Sequence, residues 1–75
     1  MPKLPRMTAT EVIRILEQDG WEKARQHGTS HLIMRHPAKP GRIPIPVHKG
    51  DIATGTLASI FKQAGLTIED IERLR

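Results

Sequence analysis

Seventy-five residues carry 12 Lys and Arg against 8 Asp and Glu, a net charge of +4 with a pI near 10.1, and no cysteine. A chain this short buries only about 60% of the surface its unfolded form exposes, so we expect one domain, residues 1–75, with any active site on the face or edge of a single small layer. The composition excludes disulfides and thiolate metal sites, and the basic balance favours a polyanionic partner, nucleic acid or an acidic protein.

Pro2 and Pro5 bar a helix at the start, so residues 1–7 read as an extended arm. Thr8-Ala9-Thr10-Glu11 is a capping box that opens a first helix over about residues 8–19. Ala9, Val12, Ile13 and Leu16 form its apolar face, with Ile15 at the border, and Gly20 ends it. Trp21 to Gln26 is the first strand candidate, with Trp21, Lys23 and Arg25 on one face. His27-Gly28-Thr29 reads as a hairpin loop.

Ser30 to Arg35 is the clearest strand. Leu32 and Met34 share the core face, which leaves His31, Ile33 and Arg35 on the other. Arg42 to Val47 alternates Ile43, Ile45 and Val47 with Pro44 and Pro46. Two prolines that cannot donate, two residues apart, make this an edge strand with both missing N–H groups on the outer side. The trio faces the core, so parity puts His48 on the His31 face if the strand extends that far. A second helix starts near Thr54 with Leu57, Ile60, Phe61 and Ala64 as its apolar stripe and Gly65 as its stop. Thr67-Ile68-Glu69-Asp70 caps a short last helix carrying Ile68, Ile71 and Leu74.

The order helix, three strands, helix, short helix predicts an α+β two-layer sandwich: a three-stranded antiparallel sheet with the helices on one face. The opposite face stays open. It is the face assigned to Lys23, Arg25, His31, Arg35 and, by the strand parity, His48. All four histidines lie between Trp21 and Gly50, together with Lys23, Arg25, Arg35, Lys39, Arg42 and Lys49, against one carboxylate, Glu22. His27 and His36 read as exposed turn residues. A metal site would need a third ligand beside His27 and His31, and none has a suitable spacing, so no metal is expected. No apolar run reaches membrane-spanning length and the N-terminus has no signal-peptide pattern, so a cytoplasmic protein is expected.

Short elements spread along the chain carry a resemblance. They are Lys3-Leu4-Pro5-Arg6, Glu11-Val12-Ile13-Arg14, Gly20-Trp21, Arg25-Gln26-His27-Gly28-Thr29-Ser30-His31, Arg35-His36-Pro37, Ile45-Pro46-Val47-His48, Gly55-Thr56-Leu57 and Ile60-Phe61-Lys62-Gln63-Ala64-Gly65-Leu66. In this order and spacing they resemble the HicA toxins of bacterial type II toxin–antitoxin systems. The resemblance implies a double-stranded-RNA-binding-domain-like α-β-β-β-α fold and ribosome-independent endoribonuclease cleavage of mRNA. It also implies no metal or organic cofactor, neutralisation by a HicB-type antitoxin, and DNA contact only through the antitoxin complex. The family's catalytic histidine, in its Gly-Ser-His element, falls on His31; here Thr29 stands between Gly28 and Ser30.

The residues fit that chemistry. RNA carries its own nucleophile, the 2′-hydroxyl, and an imidazole with an ordinary pKa near about 6.5 suits proton transfer at neutral pH. The reading is His31 as general acid or base, His48 as the candidate second proton carrier, and Lys23, Arg25 and Arg35 as phosphate contacts. Two other readings use the same basic face: a non-catalytic RNA-binding module, and an interaction protein for an acidic partner.

Overall fold

The structure, a computed structural model, describes residues 4–25 and 31–75. The expected hairpin loop at His27-Gly28-Thr29 and the first three residues of the arm lie outside the described residues. The elements run α1 (Ala9–Gln18), β1 (Glu22–Arg25), β2 (His31–Arg35), β3 (Arg42–Pro46), α2 (Thr54–Ala64) and α3 (Ile68–Leu74). The sheet order is β1-β2-β3, both pairs antiparallel, so β2 is central and β1 and β3 are edges.

The capping box forms as the sequence requires. The Glu11 amide donates to Thr8 Oγ1 at 3.3 Å while Glu11 Oε1 accepts from the Thr8 amide at 3.4 Å. At the other end of α1, Gly20 takes φ +101°. Its N–H donates to Glu17 O at 3.0 Å and the Trp21 N–H to Leu16 O at 2.9 Å, closing the helix with the paired bonds of a Schellman motif. The same turn carries Trp21 into the core. Trp21 is therefore buried rather than on the open face, which corrects the simple alternation read along residues 21–26. Ile15 is likewise buried and Ile13 half-buried, the reverse of the expected order, because α1 is turned so that residues 12, 15 and 16 meet the sheet.

One core joins the layers. Leu32 and Met34 of β2 and Ile43 and Ile45 of β3 meet Val12 and Leu16 of α1 and Leu57, Ile60 and Phe61 of α2. Burying each such side chain contributes about 1.5–3 kcal/mol. α1 and α2 pack on β3, and α3 packs on α1 through the buried Ile71. In the β2–β3 ladder Pro44 stands opposite Ile33 and Pro46 opposite His31. These are positions where no inward N–H is needed, so the prolines sit on an edge as their chemistry demands.

Three further features depart from the expectations. β3 ends at Pro46, and Val47 is exposed instead of completing the core trio. The arm is pinned at its end: Met7 is fully buried, its carbonyl accepts the Ile52 N–H at 2.8 Å, and Thr8 bridges to Asp51. This fastens the loop that leads into α2. His36, expected to be an exposed turn residue, is half-buried and fully engaged, because the chain after β2 folds back over the end of α1.

Candidate active site

His31 opens β2 on the face opposite Leu32 and Met34, and its side chain is exposed. It stands across from Pro46, and both line a cleft of about 500 Å³ that runs past the β3 edge to the flank of α2. Pro44 and Pro46 form one wall, Ile52 and Ile60 the apolar floor, and Thr56, Ser59 and Gln63 the helical wall. His48 lines the same cleft. Strand parity does not deliver it, since β3 has already ended. The loop between β3 and α2 does, tied down by the Met7–Ile52 and Thr8–Asp51 pairing.

The His48 ring is oriented by its own chain: Nδ1 lies 3.0 Å from the Lys49 carbonyl oxygen. A carbonyl only accepts, so Nδ1 carries the hydrogen, and in the neutral ring Nε2 is the unprotonated nitrogen. The N-terminal end of α2 also meets the cleft, through Gly55 and Thr56. Its N-cap is Ala53, with no side-chain cap and no carboxylate in the first turn. The first amides and the positive end of the helix dipole therefore remain available to an anion.

The cations are distributed differently from the sequence expectation. Arg35 shares the His31 face but lies four residues further along β2, about 13 Å away at the rise of a strand. Arg25 pairs with Ile33 and Lys23 with Met34, with a register irregularity between them. The regular pairing before that irregularity puts Lys23 in line with the core-side residue Met34, its side chain exposed at the β1 edge, so it does not share the face of His31. Neither Arg35 nor Lys23 lines the cleft. Lys39 is held in an ion pair: Nζ donates to Asp19 Oδ2 at 2.6 Å and to the Ala64 carbonyl at 2.9 Å. Among the described residues no group of three or more His, Asp and Glu side chains could hold a metal ion.

The family model described as the HicA toxin of bacterial toxin–antitoxin systems matches residues 9–66. The chain belongs to the HicA toxin family. The match runs from α1 to the residue after the α2 stop, and so takes in every wall of the cleft. No curated protein matches the chain. As a HicA-family toxin it is the toxin half of a toxin–antitoxin pair, and an antitoxin is its partner. No described helix is long and apolar enough to cross a membrane.

The sequence pairs His31 with His48 but does not reveal the α2 wall of the cleft. Thr56, Ser59 and Gln63 lie outside the apolar stripe of α2, and the sequence reading gives them no role. Their spacing shows which side of α2 they occupy, but only the packing of α2 against β3 turns that side toward His31.

Proposed function

We propose that this toxin is an endoribonuclease that cuts mRNA in the cytoplasm, without ribosome or metal, by histidine acid–base catalysis in the cleft. The observation that carries this reading is that His31 and His48, from different elements, line one cleft. His48 Nε2 takes the proton of the 2′-hydroxyl. The 2′-oxygen then bonds to phosphorus, the bond from phosphorus to the 5′-oxygen breaks, and His31 gives that oxygen its proton. The products are a 2′,3′-cyclic phosphate and a 5′-hydroxyl. The first amides of α2 stabilise charge on the phosphate oxygens where it develops. Arg35, Lys23 and Arg25 hold flanking phosphates of the strand. The antitoxin neutralises the toxin by covering the cleft and His31.

The test uses purified protein and synthetic RNA in excess EDTA, with no ribosomes. The expected result is a cyclic-phosphate end at each cut, and no cut where the 2′-hydroxyl is replaced by hydrogen. The division of labour has its own check, a substrate whose 5′-oxygen at the cut site is replaced by sulfur, a leaving group that needs no proton. His31→Ala should recover activity on that substrate and His48→Ala should not; the opposite pattern reverses the roles. RNA binding without any cutting would favour the non-catalytic module instead.

A further inference from the structure

We propose that the cleft beside His31 is a nucleobase subsite, in which one unpaired base of the RNA rests on Pro44 and Pro46 and is held at its edge by Gln63 and Ser59. The proposal rests on the ribonuclease reading of the same cleft. Proteins that hold single-stranded RNA commonly stack its bases on exposed aromatic rings. This chain has one Trp, one Phe and no Tyr, and both aromatic side chains are buried in the core. An apolar surface for a base must come from elsewhere. Strand parity supplies it: Pro44 and Pro46 alternate with the buried Ile43 and Ile45, so their rings lie on the His31 side, Pro44 exposed and Pro46 half-exposed. The volume, about 500 Å³, is in the range of small-ligand pockets and accommodates a nucleotide.

The polar wall is prearranged for an edge. Gln63 Nε2 donates to the Ser59 carbonyl at 3.3 Å and to Ser59 Oγ at 3.2 Å. With its amide nitrogen bound to its own helix, Gln63 keeps its amide oxygen as an acceptor. Ser59 Oγ, having accepted, keeps its own hydrogen to donate. One acceptor and one donor side by side match a base edge, where a donor adjoins an acceptor. The Watson–Crick edge of an unpaired base presents such a pair. Gln63 and Ser59 therefore position the strand and contribute selectivity, while the histidines carry the protons.

Two measurements test this. In the first, cut sites of the parent and of Gln63→Leu are mapped on a random-sequence RNA pool, with thermal unfolding to confirm the fold. Loss of an edge hydrogen bond should lower the ratio of preferred to non-preferred sites by about tenfold. An unchanged site preference in a folded, active Gln63→Leu overturns the subsite while leaving the ribonuclease reading intact. In the second, the inactive His31→Ala protein is titrated with each nucleoside 3′-monophosphate and, separately, with inorganic phosphate, followed by NMR. The nucleotides should shift the Gln63 side-chain amide, and phosphate should not. Equal shifts with phosphate, or none with any nucleotide, overturn the proposal. If the parent never cuts RNA, the ribonuclease reading falls and the titration alone decides whether a base binds here.

Discussion

Two histidines flank the same strand and do opposite things. His31, at the start of β2, is exposed at the mouth of a cleft. His36, just past the end of β2, is locked into the backbone. Its Nδ1 accepts the amides of Ala38 at 2.9 Å and Lys39 at 3.2 Å, and its Nε2 lies 2.8 Å from the Asp19 carbonyl, to which it donates. The ring also packs edge-on against Trp21, with centroids 5.3 Å apart. Both nitrogens of His36 serve the fold, so it has no lone pair or proton to offer a substrate. Lys39 completes that end by joining the carboxylate of Asp19 to the last carbonyl of α2. One end of the hairpin is a knot that fastens α1, α2 and the β2–β3 turn together. The other end leaves His31 exposed at the cleft. Residue type does not separate the two histidines; the groups around them do.

The contrast can be broken first at the cleft. His31→Ala is expected to lower RNA cleavage per folded molecule by about 10²–10⁴-fold, read by single-turnover cleavage with circular dichroism giving the folded fraction. A variant as active as the parent would move the chemistry elsewhere. The mirror experiment is His36→Ala. Loss of three hydrogen bonds and of the contact with Trp21 should cost about 2–3 kcal/mol, lowering the thermal midpoint by on the order of 10 °C or more. Its cleavage rate per folded molecule, measured well below the midpoint, should match the parent.

Gly20→Ala sharpens the same end. A side chain at φ +101° is strained by about 1–2 kcal/mol, and its Cβ would come 2.8 Å from His36 Nε2. Combined with His36→Ala, the loss should be smaller than the sum of the two, because the clash disappears with the ring; strict additivity in denaturant titrations would exclude that contact.

The smallest effect is expected far from both ends, at the α3 cap. Hydrogen bonds from the Thr67 backbone and hydroxyl hold the Asp70 carboxyl below its ordinary pKa. A depressed folded pKa means that this contribution is present at neutral pH and is lost as the pH falls through the folded value. Amide exchange in α3 should accelerate on acidification, and Asp70→Asn should remove that acid-side change.

Local rules carried much of this molecule in its sequence. Capping boxes at Thr8 and Thr67, stop glycines at 20 and 65, and the two apolar stripes determined the helices, because caps and periodicity act within a few residues. The alternation of isoleucine and proline in β3 determined an edge strand and its register, since a missing N–H forbids the other pairing. Parity set His31 apart from Leu32 and Met34. The rest needed contacts between distant residues. The irregular register beside Lys23, the burial of Trp21 and the capture of His36 and Lys39 by the end of α1 are decided by which surfaces meet, and no local pattern encodes that. The cleft is the same kind of fact. His31 was legible from the chain, but its neighbours Thr56, Ser59 and Gln63 become neighbours only when the pinned loop after β3 lays α2 along the sheet edge, where burial of Leu57, Ile60 and Phe61 holds it.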